Sequence, residues 1–125
     1  MEEKQPTYGN GKVCYIEIPA DDIAASATFF EKTFNWRIRR DHGGRVSFDD
    51  GVGEVSGTWI TGRKPISEAG LLISIMVDNA EATVNAITQN GGVITQPIDK
   101  DSSERTAHFT DPAGNLWGIY QHIGA

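Results

Sequence analysis

The sequence predicts an α+β chain of two paired βαβββ modules, their strands forming a curved mixed sheet that encloses a cleft with the helices outside. Three observations lead there. A strand-to-helix pattern occurs twice, the cap and stop residues of the two helices coincide when one copy is slid onto the other, and short alternating runs follow each helix.

Residues 12–19, Lys-Val-Cys-Tyr-Ile-Glu-Ile-Pro, place Cys14, Ile16 and Ile18 on one face and Val13, Tyr15 and Glu17 on the other, the period of a strand, and Pro19 closes the run. Asp21 and Asp22 then offer an N-cap, and Ile23, Ala27, Phe30 and Phe34 recur at helical spacing. Asn35 stands where a left-handed C-cap residue is expected, because Asn tolerates positive φ better than most side chains. Trp36, Arg37 and Ile38 begin a second strand, and runs at 45–49 and 55–60 flank Asp50-Gly51 as a hairpin. These elements complete a first module, 12–62.

The segment 63–70, Arg-Lys-Pro-Ile-Ser-Glu-Ala-Gly, follows neither period and is predicted to be a surface connection. The second module, 70–123, repeats the order. An apolar strand at 71–77 leads into a helix capped by Asp78-Asn79 that runs to about Asn90 and stops at Gly91-Gly92. Strands at 93–96, 106–110 and 116–122 follow, the last two joined by the turn Asp111-Pro112-Ala113-Gly114-Asn115. Sliding this half back by 57 residues puts Asn79 on Asp22 and Gly92 on Asn35. Each module covers one sheet face with its own helix and leaves the other face open, so function is expected on the open faces, in the cleft that two such faces line.

Composition narrows the function classes. A 125-residue chain with 38% apolar and 22% charged residues has the size and makeup of one globular domain. Its net charge of −6 repels phosphate backbones and anionic membranes, which argues against a nucleic-acid or membrane partner. The lone Cys14 cannot form an internal disulfide, the first residues have no apolar core, and no stretch reaches the roughly 20 apolar residues of a membrane span. A cytoplasmic location is the resulting expectation. Strand parity places Cys14 with Ile16 and Ile18 toward the helix, as a buried and unreactive thiol.

Three segments, in order and at matching spacing, resemble the vicinal-oxygen-chelate superfamily, which includes glyoxalase I, bleomycin-binding resistance proteins, fosfomycin-modifying transferases and extradiol dioxygenases. They are 17–22 through 29–36 (Glu-Ile-Pro-Ala-Asp-Asp, then Phe-Phe-Glu-Lys-Thr-Phe-Asn-Trp), 77–82 ending in Asn90-Gly91-Gly92, and 111–118, Asp-Pro-Ala-Gly-Asn-Leu-Trp-Gly. The resemblance implies a cleft in which metal-dependent members hold a divalent ion on four strand positions. Carried over, those positions fall on Tyr15, on Leu72, on Gly118, and on Gly57 or Thr58. Leucine and glycine have no side-chain donor, and a neutral phenol with a pKa of about 10 is a poor ligand. The expectation is therefore a chain without metal or other cofactor that binds a small organic molecule, and the resemblance also implies a homodimer.

Residue types single out further candidates. Glu17 shares the face of Tyr15 and could act as a base, or be a rim carboxylate paired with an arginine. His108 shares a face with Thr106 and Thr110 and could be an acid, a base or a ligand. The expected pocket thus comprises Tyr15, Glu17, Thr58, Leu72, Ser74, His108, Gly118 and Tyr120, with Glu17 and His108 as candidate catalytic groups. Trp59 is a candidate aromatic wall, Trp36 and Trp117 are expected toward the helices, and His42 in solvent. His122 shares the strand parity of Gly118 and Tyr120 but stands three residues from the end, where fraying argues against a site. The alternatives are a metal-dependent lyase or isomerase of glyoxalase I type with atypical ligands, and an interaction module with a vestigial cleft.

Overall fold

The computed structural model describes residues 5–68 and 70–121, so His122 lies outside the described residues. The chain divides between Arg63 and Lys64 into two compact units, each a four-stranded mixed sheet with one helix.

In the first unit, β1 (Tyr15–Pro19) leads into α1 (Ile23–Phe34), followed by β2 (Arg37–Arg40), β3 (Val46–Asp49) and β4 (Ser56–Ile60). The sheet order is β1-β4-β3-β2, with β1 parallel to β4 and the remaining pairs antiparallel. Asp22 is the N-cap of α1, its carboxylate accepting the Ala25 N–H at 3.0 Å. Asn35 ends the helix at φ 59°, the left-handed conformation expected of it. Since other L side chains lose roughly 1 kcal/mol in that conformation, Asn35→Ala should lower stability by about that amount, whereas Asn35→Gly should be neutral or slightly stabilising. Chemical denaturation of the two variants measures the difference.

α1 buries Ser26, Ala27, Phe29 and Phe30 against the sheet. Phe30 stacks on Trp36 with centroids 4.4 Å apart, Trp36 on Phe48 at 4.6 Å, and Phe48 leans on Trp59 at 4.9 Å. This row of four rings is the centre of the unit's core, and aromatic pairs of this kind add about 0.5–1.5 kcal/mol each beyond their buried area. It also corrects one expectation. Trp59, a candidate wall for a ligand on the open face, instead lies on the helix side, because alternation along β4 sends Gly57 and Trp59 one way and Ser56 and Thr58 the other.

The second unit repeats the plan with β5 (Ser74–Val77), α2 (Ala80–Gln89), β6 (Val93–Gln96), β7 (Thr106–Thr110) and β8 (Leu116–Gln121), in the order β5-β8-β7-β6. Asn79 caps α2 through the Ala82 N–H, as Asp22 caps α1. At the other end the repeat slips by one. The left-handed residue is Gly91 at φ 100°, so it matches Asn35 at an offset of 56 rather than Gly92 at 57. β5 is also shorter than the apolar run 71–77, its ladder with β8 starting at Ser74, although Gly118 N–H still bonds to Ile73 O just before it. Ala80, Ile87, Ala107, Phe109, Trp117 and Ile119 form this unit's core.

The turn between β7 and β8 is built on one carboxylate. Asp111 accepts from the backbone N–H groups of Ala113 and Asn115, from Asn115 Nδ2 and from Trp117 Nε1. Asn115 in turn accepts the Ile66 N–H, and Leu116 N–H donates to Ile66 O, which ties the segment before β5 to the second unit. Trp36 and Trp117 are buried on the helix sides, as parity requires, and His42 is exposed. Cys14 is exposed too, against expectation. It precedes the first ladder residue of β1, Tyr15, so sharing parity with Ile18 does not bury it.

Candidate functional site

The sites follow from what each sheet leaves on the face its helix does not cover. In the first unit the register pairs Tyr15 with Ser56 and Glu17 with Thr58, and Thr58 with Ser47 on the far side. These side chains share the open face with Arg39 and Asp49. The face is strongly polar. Arg39 makes a two-pronged contact with Asp49 at 3.0 and 3.1 Å, and Ser56 Oγ donates to the same carboxylate. The Tyr15 hydroxyl accepts from Arg45 Nη2 at 3.1 Å, and Glu17 is paired with Arg63 at 2.8 Å. Tyr15 remains 47% exposed, so its ring is available to a ligand while its hydroxyl is held.

In the second unit Ser74, Gly118 and His108 lie side by side across β5, β8 and β7, and Met76, Tyr120 and Thr106 form the next row. This face is more apolar. Met76 is exposed and Tyr120 half-buried beside it. His108 is half-buried and its side chain makes no hydrogen bond or ion pair among the described residues. The two candidate catalytic groups therefore belong to different units, Glu17 to the first and His108 to the second. Sequence reading had not selected Met76, although alternation from Leu72 and Ser74 points to it. Arg45 and Arg63 carry no local signal at all, since they lie in a loop and in the connection, and only folding brings them to Tyr15 and Glu17.

The register also decides between Gly57 and Thr58. Gly118 pairs with Ser74 as Thr58 pairs with Glu17, so Thr58 is the counterpart of Gly118, and Gly57 faces the helix. The four positions that the family resemblance would assign to a divalent ion are then Tyr15, Thr58, Leu72 and Gly118. They do not fit that role. Leu72 and Gly118 supply no side-chain donor atom, the Thr58 hydroxyl is directed to Val46 O at 2.7 Å, and the Tyr15 hydroxyl already accepts from Arg45. The space beside Gly118 is also taken, since a Cβ placed there would stand 2.6 Å from Ser74 Oγ and 3.4 Å from Leu72 Cδ2. Among the described residues, no three His, Cys, Asp or Glu side chains gather into a group that could hold an ion. None of the described helices is long and apolar enough to cross a membrane.

Comparison with known proteins agrees with this architecture. The family model of the Glyoxalase/Bleomycin resistance protein/Dioxygenase superfamily matches residues 12–119. A glyoxylase-like domain-containing protein of Didymella fabae is 29% identical over 97 residues, covering 66% of this chain and 70% of that protein. The CFP32 protein of Mycobacterium bovis is 27% identical across 98% of this chain, which spans only about half (51%) of that relative's length. Among solved structures, TnmS3, an antibiotic binding protein from a Streptomyces species, superposes with a TM-score of 0.70 over 94% of this chain and 100% of its own, at 20% identity. That likeness is one of fold.

Proposed function

As a member of the glyoxalase/bleomycin resistance protein/dioxygenase superfamily, this chain, we propose, binds a small organic molecule on the helix-free faces of its sheets without a resident metal ion. One observation carries the reading: two of the four positions to which the family resemblance would assign a metal, Leu72 and Gly118, have no side-chain donor atom, and the strands around them present ring and thioether surface in its place. Tyr15 and Tyr120 offer ring faces, Met76 and Leu72 adaptable apolar contact, and Ser74 and His108 directional polar groups beside Gly118. The antibiotic-binding description of TnmS3 supports the same reading. Glu17 acts here as a rim carboxylate, its Oε1 paired with Arg63 at 2.8 Å. We further propose that the chain works as a homodimer in the cytoplasm. Light scattering that returned the mass of a single chain would reject the dimer.

The test of binding combines metal analysis with a thermal-shift screen of planar aromatic natural products on the purified full chain. A ligand at about 100 times its Kd should stabilise the protein by about 2.7 kcal/mol, an easily measured rise in Tm. Tyr15→Ala and Met76→Glu alter exposed side chains, so each should change intrinsic stability by no more than about 0.5 kcal/mol. At least one of them should weaken binding about ten-fold, the equivalent of about 1.4 kcal/mol. One divalent ion per chain, tightly held through purification, would instead favour the metal-dependent lyase or isomerase. Ligand binding that neither variant alters would reject the assignment to these faces.

A further inference from the structure

An asparagine or aspartate followed by glycine can close a five-membered ring on its own backbone. The glycine nitrogen attacks the side-chain carbonyl carbon, and a glycine puts no Cβ in the way. The sequence contains two Asn-Gly pairs, 10–11 and 90–91, and one Asp-Gly pair, 50–51. The fold makes them unequal. Asn90 is the C-cap of α2, its own N–H donated to Ala86 O at 3.0 Å and that of Gly91 to Thr88 O at 3.3 Å. Its ψ of 10° turns the Gly91 nitrogen away from the Asn90 side chain, so a ring closes there only after the helix end unwinds. The Asp50 carboxylate accepts the N–H groups of Glu54 and Val55 at 2.8 and 3.2 Å, which holds it within its hairpin. An ionised carboxylate is also a poor electrophile.

Asn10-Gly11 has none of these restraints. Both residues are exposed, in a turn whose closing bond, from Lys12 N–H to Gly9 O, is 3.4 Å long. Neither the Asn10 side chain nor the Gly11 N–H makes a hydrogen bond among the described residues. Beyond its chain neighbours, no heavy atom lies within 4 Å of where a Gly11 Cβ would stand. We propose that Asn10 is a site of spontaneous modification, converted through a cyclic imide to isoaspartate and aspartate, while the fold protects Asn90 and Asp50. The Gly11 nitrogen gives up its proton and bonds to Asn10 Cγ, the Cγ–Nδ2 bond breaks, and the amide leaves with that proton as ammonia. Water then opens the imide at either carbonyl. Both products carry a new negative charge two residues before Lys12, whose ammonium is bridged to Glu54 at 3.2 Å. Isoaspartate also adds one atom to the main chain ahead of β1. Since Glu54 accepts from Thr7 as well, the change falls on the tether between segment 7–12 and the hairpin, and it is independent of the binding proposed for the open faces.

The full folded chain is incubated at mildly alkaline pH, which favours the deprotonated nitrogen, and mapped by peptide mass spectrometry over time, with fragmentation that separates isoaspartate from aspartate. Asn10 should be lost at least about ten-fold faster than Asn90, because Asn90 reacts only from the fraction of molecules with an open helix end. In concentrated urea the two pairs should react at similar rates. Asn10→Gln, at an exposed position, moves the carbonyl one methylene further out, where ring closure is slower, and should remove the acidic form of the protein. Loss of Asn90 that kept pace with Asn10 in the folded chain, or an Asn90 still slow in urea, would overturn the protection assigned to the fold. An unmodified Asn10, a product with aspartate but no isoaspartate, or an acidic form that persisted in Asn10→Gln would overturn the site.

Discussion

Replacing Asp111 with Asn should cost about 3 kcal/mol of folding stability, among the larger effects of any single change in this chain, although the two side chains have nearly the same shape. All the groups around the carboxylate are donors: two backbone N–H groups on Oδ1, the Trp117 indole on Oδ2 at 3.0 Å, and the Asn115 amide reaching both oxygens. An amide must turn its own NH2 toward one set of these donors, which leaves buried N–H groups facing each other. Asp111 is only 3% exposed, so water cannot rescue them. The Asp-Pro-x-Gly-Asn turn is therefore read as a folding element, and urea titration of Asp111→Asn measures its worth. An unchanged midpoint would show that the donors find other partners.

The same carboxylate gives a pH dependence whose sign follows from its burial. Desolvation raises the Asp111 pKa above the ordinary 3.8, and the hydrogen bonds from Asn115, Trp117 and Ala113 pull it only partly back. The folded protein thus holds this proton more tightly than the unfolded chain does. Its contribution to stability is full below the unfolded value and is lost as pH rises through the folded one. The deficit of Asp111→Asn relative to the parent should accordingly be largest at the acid end of that window and shrink above it. Paired denaturation curves across the acid range measure this, and a deficit that grew with pH would reverse the assignment.

Gly57→Ala should be comparably damaging for a steric reason. A Cβ at this position would fall inside van der Waals contact of the Ile16 carbonyl oxygen and of the Phe48 ring. The obstacle on one side is the backbone of β1, to which β4 is hydrogen-bonded, and on the other a ring stacked within the aromatic row. Neither can move without opening the sheet or the core. Overpacking typically costs about 1–3 kcal/mol, and a backbone clash belongs at or beyond the top of that range. Thermal unfolding of Gly57→Ala should show either a fall in Tm of ten degrees or more or no cooperative transition. By contrast, Gly118→Ala meets the Ser74 hydroxyl, which can rotate away, so its cost should be smaller.

Much of this molecule was legible in its residues. Among the described residues, both helices, the eight strands, the caps Asp22 and Asn79, the left-handed Asn35 and the hairpin at Asp50-Gly51 follow from local chemistry. A side chain's hydrogen bond to a backbone three residues on, or its tolerance of positive φ, needs no distant partner. Alternation sorted the faces for the same reason: Tyr15 and Glu17 on one side of β1, Ala107 and Phe109 opposite His108 on β7. The absence of donor atoms at Leu72 and Gly118 is likewise a property of residue type.

Tertiary structure decided what depends on pairing. Which of Gly57 and Thr58 stands beside Glu17 is a matter of register, set by hydrogen bonds between strands about 40 residues apart in the chain. The exposure of Cys14 depends on where the sheet ends, and the side taken by Trp59 on that same register. The capture of Glu17 by Arg63 and of Tyr15 by Arg45 depends on where a connection and a loop come to rest. None of these has a period or a cap to announce it, because the free energy that fixes them comes from contacts between distant parts of the chain.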